Sequence, residues 1–155
     1  MTELEIIKEE MKKLQSRIEE LEKHQENPTA WTPKDGEGIY ILYPDGEITF
    51  AKYFDGVKIT TKRLNQGNIF PTKEAAEWER EHRKVLHEMK RYTKEFVHGE
   101  VNYDICYDHD EERVLIDAWF SNQHTLFFFE SEEKAQACID AIGEERLKKY
   151  YLNLK

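Results

Sequence analysis

The same strand-to-helix junction occurs at two separate places in this chain, and it constrains the fold more than any other feature. GNIFPTKEAAE spans residues 67–77, and LFFFESEEKAQA spans residues 126–137. Each contains a phenylalanine, then Thr or Ser two residues later, then Glu and Ala. A Thr or Ser at this position can cap a helix by accepting hydrogen bonds from its free backbone N–H groups. The repeated junction predicts two strands that are each followed by a capped helix, and it suggests a duplication.

The segment before the first junction has the alternation of β-strands. GIYILYPDGEITFAKY, residues 38–53, contains two strand-like runs around the turn residues 44–46, which predicts a hairpin. A short alternating run over residues 57–61 predicts a further strand. Thr72 is the expected cap of a helix from Lys73 to about Val97. Its predicted inward-facing residues are Ala75, Trp78, Val85, Leu86, Met89, Tyr92 and Phe96.

The second half follows the same plan. Residues 101–120 predict a hairpin about the polar turn 108–112, and HTLFFFE, residues 124–130, predicts a strand. Ser131 is the expected cap of a helix through Ala141, and a short helix closes the chain. The predicted fold class is α+β. An N-terminal coiled-coil helix precedes two ββ(β)α units, residues 37–98 and 101–155, which have mainly antiparallel sheet and helices on one face.

The N-terminal segment has a heptad pattern. Its apolar residues recur at alternating spacings of three and four, and they are Leu4, Ile7, Met11, Leu14, Ile18 and Leu21. In a parallel pair, Glu3 would face Lys8 and Arg17 would face Glu22, which are attractive combinations. Residues 1–26 are therefore expected to be an oligomerisation helix, with a dimer favoured, and residues 27–36 a linker. The alternative is that the helix folds back on its own domain.

Charge and hydropathy disfavour some classes of function. The formal net charge of −9 disfavours direct nucleic-acid binding, which depends on Lys and Arg displacing counterions from phosphates. No apolar run is long enough to cross a membrane and no signal peptide is present, so we expect a soluble intracellular protein. Cys106 and Cys138 are expected to be reduced thiols.

The sequence also lacks the motifs of catalysis. It contains no nucleophile elbow, phosphate-binding loop or zinc-protease motif, and its histidines have no metal-ligand spacing. His109 lies among acidic residues, but that turn lacks the ligand pattern of a calcium loop, and a solvated turn is preferred. No catalytic residue, no metal and no cofactor is predicted, and the protein is expected not to be an enzyme.

The aromatic residues of the strands exceed what one buried face can hold. Because side chains alternate between faces, adjacent aromatic residues cannot all point inward. Exposed Tyr and Trp are typical of interfaces, and an oligomer contact or a covering helix is an equally good explanation. The candidate partner-binding aromatics are Tyr53, Phe54, Trp119 and Phe120.

Several stretches resemble a family of small proteins encoded by phages and prophages of Gram-positive bacteria. The resemblance extends from Trp31 to the end of the chain. It depends on the Trp-x-Pro-x-x-Gly opening at residues 31–36, the Gly-Asn-x-Phe-x-Thr junction at residues 67–72 and the aromatic C-terminal hairpin with its helix. It implies a phage accessory gene, whose product would act in the bacterial host cytoplasm, and it transfers no catalytic residue.

Together these features predict a non-enzymatic phage or prophage accessory protein. It would bind and inhibit a bacterial host protein as an oligomer, for example as an anti-CRISPR inhibitor of a nucleic-acid-binding defence protein. One alternative is an oligomeric binder of a nucleotide signal, for which Lys62, Arg63 and Arg113 are the candidate cations. Another is a structural component of the phage.

Overall fold

The computed structural model describes residues 3–25 and 31–155, and within the first helix it describes the side chains of residues 3 and 5–16. In chain order the elements are α1 (Glu3–Gln25), β1 (Gly38–Leu42), β2 (Ile48–Lys52), α2 (Lys58–Asn65), β3 (Ile69–Phe70), α3 (Lys73–Met89), β4 (Thr93–Lys94), β5 (Asn102–Asp108), β6 (Arg113–Trp119), β7 (Phe128–Phe129), α4 (Glu132–Ile142) and α5 (Glu144–Tyr150). The predicted helix end near residue 27 and the first part of the predicted linker lie outside the described residues.

The first sheet has three antiparallel strands in the order β2-β1-β3. The β1–β2 hairpin turns at residues 43–47, as the Pro-Asp-Gly turn predicts. Four buried residues form the first core: Ile39, Ile41, Tyr53 and Ile69. Leu64 of α2 packs against this core, so α2 covers part of the sheet.

The second sheet has four antiparallel strands in the order β4-β7-β5-β6. Its core joins strand residues to α3, α4 and α5, and it consists of Val85, Met89, Ile105, Phe127, Phe129, Ala135, Cys138, Ile142 and Leu147. Helix α3 also contacts all three strands of the first sheet. It therefore packs against both sheets.

Both predicted helix caps are present. Thr72 Oγ1 accepts a hydrogen bond from the backbone N–H of Ala75 at 3.1 Å, and Ser131 Oγ accepts one from Lys134 at 3.2 Å. Each cap therefore satisfies a donor in the first helical turn. Within α3, Ala76 is fully buried, whereas Ala75, which was predicted to face inward, is partly exposed.

The prediction that α3 continues to about Val97 is wrong. The helix ends at Met89, and the chain then forms β4, in which Thr93 pairs with Phe129 and Lys94 with Phe128. The ring of Phe96 packs edge-on against Phe128, with centroids 5.0 Å apart. The apolar residues that continued the helical spacing, Tyr92 and Phe96, therefore lie on either side of a short edge strand whose backbone pairs with the distant β7.

The prediction of a strand over residues 57–61 is also wrong, because this segment contains the start of α2. The backbone N–H groups of Thr60 and Thr61 donate to the carbonyl of Val57 at 3.0 and 3.1 Å. Val57 and Ile59 are exposed, and the better-buried residues are Thr60, Arg63 and Leu64. Their spacing of three and then one is helical. The strand prediction failed because it assumed that the alternating apolar residues are buried, whereas they lie at the surface.

The coarse fold prediction is confirmed. The protein is a mixture of helices and antiparallel sheets, as expected for the α+β class. The hairpin at the 108–112 turn and the C-terminal helices are also observed, with α4 ending at Ile142 before Gly143. The coiled-coil state of α1 and the division into two related units remain predictions.

Candidate functional site

The apolar seam of α1 is exposed wherever its side chains are described. Ile7 is 50% exposed, and Met11 and Leu14 are each 61% exposed. The side chains of Leu4, Ile18 and Leu21, which complete the predicted seam, lie outside the described part of the helix. Burying three such side chains is worth several kcal/mol at about 1.5–3 kcal/mol each. The described part of α1 is therefore available to pack against another surface.

The four predicted partner-binding aromatics have different surroundings. Tyr53 is 7% exposed and belongs to the first core, so it is not an accessible binding residue. Its neighbour Phe54 is 51% exposed. Trp119 is half-buried, whereas the next residue, Phe120, is 56% exposed. As alternation requires, one member of each adjacent pair is more exposed than the other.

Trp119 is held in place by a buried carboxylate. Its indole Nε1 donates a hydrogen bond to Asp104 Oδ1 at 3.2 Å, and its ring lies perpendicular to that of His124 at a centroid distance of 4.1 Å. Asp104 is 3% exposed. Burial raises the pKa of this carboxyl group, and the negative charge of Asp117, directly opposite on β6, raises it further. The indole is therefore fixed beside two carboxylates.

A second buried polar residue on the same strand organises the neighbouring loop. Asn102 is fully buried, and its Oδ1 accepts a hydrogen bond from the backbone N–H of Val97 at 2.9 Å. Its Nδ2 donates to the carbonyls of Val97, Glu100 and Trp119 at 2.9, 2.9 and 3.1 Å. This side chain therefore ties the loop before β5 to the sheet beside Trp119.

Carboxylates occupy part of the exposed edge of the second sheet. On the edge strand β6, the backbone N–H of Val114 donates to Glu144 Oε1 at 3.3 Å, and that of Ala118 donates to Asp117 Oδ1 at 2.9 Å. An edge strand with two of its outward donors already used is a poorer template for adding another strand. A partner at this edge would therefore meet carboxylate side chains at these two positions.

The two thiols are poor nucleophiles. Burial raises the pKa of both Cys106 and Cys138 to about 11, so both are protonated near neutral pH. Both cysteines are free. In the 108–112 turn, Asp108 Oδ1 accepts the backbone N–H groups of Asp110 and Glu111 at 2.9 and 3.1 Å, as in a solvated polar turn. Among the described residues, no group of three or more His, Cys, Asp or Glu side chains could hold a metal ion.

The cleft beside α3 is not lined by the cations predicted for a ligand site, Lys62, Arg63 and Arg113. Arg113 pairs with Glu111 Oε2 at 2.5 Å, and the guanidinium carbon of Arg63 lies 5.0 Å from the centroid of the Tyr43 ring. This cleft of about 270 Å³ lies between the β1–β2 turn and α3, where Arg80 and Lys84 are among its lining residues. Sequence reasoning assigned no role to Asp104, Asn102 or this cleft. Polar residues alternating within the apolar strand NYDICYD were the available signal for the first two.

No protein-family model, curated protein or solved structure matches this chain. None of the helices in the described ranges has both the length and the apolar character needed to cross a membrane. Functional inference therefore depends on the surfaces of the chain itself: the seam of α1, the surface at Trp119 and Phe120, and the cleft beside α3.

Proposed function

We propose that the protein is a non-enzymatic accessory factor of a phage or prophage, which binds a bacterial host protein as an oligomer and inhibits it. A host defence protein, for example a CRISPR nuclease, is the proposed class of target. The observation that carries the proposal is the exposed apolar seam of α1, where Ile7, Met11 and Leu14 are each at least 50% exposed. Such a helix is stabilised by packing on a partner.

In the proposed oligomer, α1 forms a parallel coiled coil, with a dimer favoured. The heptad positions place Glu3 opposite Lys8 and Arg17 opposite Glu22, which favours self-association in this direction. Two linked bodies would bind a symmetric or repeated target more tightly than one, because the second contact forms at high effective concentration.

The proposed body consists of two related units. In each sheet the first strand of the hairpin lies between its hairpin partner and a short later strand, and a capped helix follows that later strand. This common order supports a duplication. The resemblance of residues 31–155 to phage-encoded proteins supports the genomic setting.

The proposed contact surface on the body includes Trp119, Phe120 and Phe54. Trp119 is pre-organised by its hydrogen bond to Asp104, so little side-chain entropy is lost when a partner covers it. The exposed Asp117 adds negative charge on β6, and the whole chain has a net charge of −9. A basic surface, as found on proteins that bind nucleic acid, is the complementary partner.

Oligomerisation is tested by light scattering on the full chain at micromolar concentration. We expect a mass of at least twice the chain mass of 18.6 kDa. The double variant Leu14→Asp with Ile18→Asp should be monomeric, because four charges would enter the seam of a dimer. The control variant Lys12→Asp with Ser16→Asp changes neighbouring positions off the seam and should keep the parent mass. A parent chain that is monomeric, and whose oligomeric state does not change when residues 1–26 are deleted, would exclude the oligomer.

Partner binding is tested by affinity purification from the bacterial host followed by mass spectrometry. We expect one host protein to be enriched with the parent chain and lost with Phe120→Ala or Phe54→Ala. Phe50→Ala is the matched control, because Phe50 is an exposed phenylalanine outside the proposed surface. The proposal fails if no host protein is enriched and host defence systems stay active at infection-level expression.

A further inference from the structure

A small cleft lies between the turn of the first hairpin and the outer side of α3. Its volume is about 270 Å³, which is near the lower end of the range for small-molecule sites. Leu42, Tyr43 and Pro44 provide an apolar and aromatic wall. This volume suits a compact ligand, about the size of a single nucleotide or smaller.

The opposite wall of the cleft is basic, although the chain as a whole is acidic. Arg80, Arg83, Lys84 and His87 line it, at positions that follow one face of α3. Asp45 is the carboxylate among the lining residues, and its Oδ1 already accepts the backbone N–H of Glu47 at 3.0 Å. The lining of the cleft therefore carries a positive excess.

These basic side chains are not equally engaged. Arg83 bonds Glu79, Asn68 and the carbonyl of Gly67, so its donors serve the packing of α3 on the first sheet. Arg80 uses its Nε to bond Glu81 at 3.2 Å. Within the described ranges, the two terminal nitrogens of Arg80 and the ring of His87 have no hydrogen-bond partner. Their donors remain available to a ligand.

Glu81 holds Arg80 and Lys84 side by side. Its Oε1 accepts from Lys84 Nζ at 2.9 Å as well as from Arg80, and the hydrogen bond from Lys84 is the main reason why its pKa is lowered. The aliphatic part of Arg80 lies over the turn, where a Cβ on Gly46 would approach Arg80 Cδ to 3.6 Å. The guanidinium is therefore positioned at the cleft before any ligand arrives.

We propose that this cleft binds a small aromatic phosphate of the class of a nucleoside monophosphate. The phosphate accepts hydrogen bonds from the terminal nitrogens of Arg80 and from Lys84, because guanidinium and ammonium groups are the usual phosphate donors in proteins. The base lies against Tyr43 and Pro44, where an aromatic ring gains stacking contact. Because the basic residues are confined to this cleft, they can bind a single phosphate group. The net charge of −9 over the whole chain disfavours the binding of long polyanions.

The test is isothermal titration calorimetry of the full chain with the 5′-monophosphates of adenosine, guanosine, cytidine and uridine. Inorganic phosphate and the four nucleosides are titrated separately. We expect at least one nucleotide to bind at least tenfold more tightly than phosphate or its own nucleoside. No binding heat at millimolar nucleotide, or equal affinity for phosphate and nucleotides, would overturn the assignment.

Variants locate the binding within the cleft. Arg80→Gln and Lys84→Gln should each weaken binding of that nucleotide about tenfold, whereas Lys73→Gln on the same helix should change it less than twofold. Lys73 pairs with Glu77 outside the cleft, which makes it a matched control. Melting curves by circular dichroism confirm that each variant is folded. Unchanged affinity in Arg80→Gln would overturn the site. This result is independent of the proposed host-protein binding, which involves other surfaces.

Discussion

In each sheet, a tyrosine of the first hairpin strand lies opposite a phenylalanine of a short later strand. The residues on either side of that tyrosine differ in chemistry between the two sheets. Tyr40 on β1 lies opposite Phe70, and Tyr103 on β5 lies opposite Phe129. The flanking residues are Ile39 and Ile41 in the first sheet, and Asn102 and Asp104 in the second. All four are buried, with exposures of 0%, 5%, 0% and 3% in that order.

This difference shows that the strand pairing does not require an apolar residue at these positions. In the first sheet the two isoleucines belong to a core that Leu64 of α2 helps to cover. In the second sheet the polar pair is tolerated because loop carbonyls and an indole supply hydrogen bonds. The second sheet instead obtains its apolar burial on its other face, against α4 and α5.

The largest expected contrast is at the paired phenylalanines. Phe129→Ala should reduce the free energy of unfolding by about 3–5 kcal/mol, because Phe129 is fully buried as one of nine residues of the second core. Phe70→Ala should cost roughly half as much, because Phe70 is partly exposed. Urea denaturation monitored by circular dichroism measures both. Equal losses would contradict the expected effect of this difference in burial.

The polar position of the second sheet gives a pH-dependent prediction. The raised pKa of Asp104 means that the folded chain holds this proton more tightly than the unfolded chain, so its ionisation destabilises the fold. This penalty grows as pH rises from the unfolded pKa to the folded pKa and is complete above it. A pKa difference of one between the two states corresponds to about 1.4 kcal/mol.

Asp104→Asn should therefore gain stability relative to the parent at pH 7, and the gain should shrink as pH falls to the unfolded pKa. Urea denaturation at several pH values measures the difference. Asp110→Asn is the control, because Asp110 is an exposed carboxylate in the turn between β5 and β6. A stability difference between Asp104→Asn and the parent that does not vary with pH would contradict the assignment.

The two helix caps should behave alike. Thr72→Ala and Ser131→Ala should each reduce the free energy of unfolding by about 1 kcal/mol, because the two cap distances differ by only 0.1 Å, at 3.1 and 3.2 Å. Thr72→Ser and Ser131→Thr keep the hydroxyl and should lose much less. Thermal and urea denaturation measure these changes. A loss of stability in only one of the two alanine variants would show that the two caps do not stabilise the fold equally.

The smallest expected effects on stability come from substitutions in the two hairpin turns. Gly46 has a φ of +88° in the first turn, whereas Glu112 has a φ of +51° in the second. A side chain in this left-handed region is strained, so Glu112→Gly should stabilise the fold by about 0.5 kcal/mol and Gly46→Ala should destabilise it by about 1 kcal/mol. Urea denaturation would detect both, and changes of the same sign would contradict this account.

The sequence by itself determined the two junctions and the two hairpins. These features depend on neighbours in the chain: a cap needs a hydroxyl three residues before its donor, and a tight turn needs a residue such as Gly46 that tolerates positive φ. The alternation argument also predicted that Tyr53 and Phe54 could not both be buried, although it could not tell which one would be.

Only the tertiary structure decided where α3 ends, that residues 58–65 form a helix, and what surrounds Asn102 and Asp104. Residues 93–94 become a strand because β7, far along the chain, supplies their backbone partners. The basic cleft brings the 43–46 turn beside residues 80–87 of α3, and no local spacing encodes that approach. Long-range pairing and packing set these features, because they satisfy backbone and polar groups whose partners are distant in sequence.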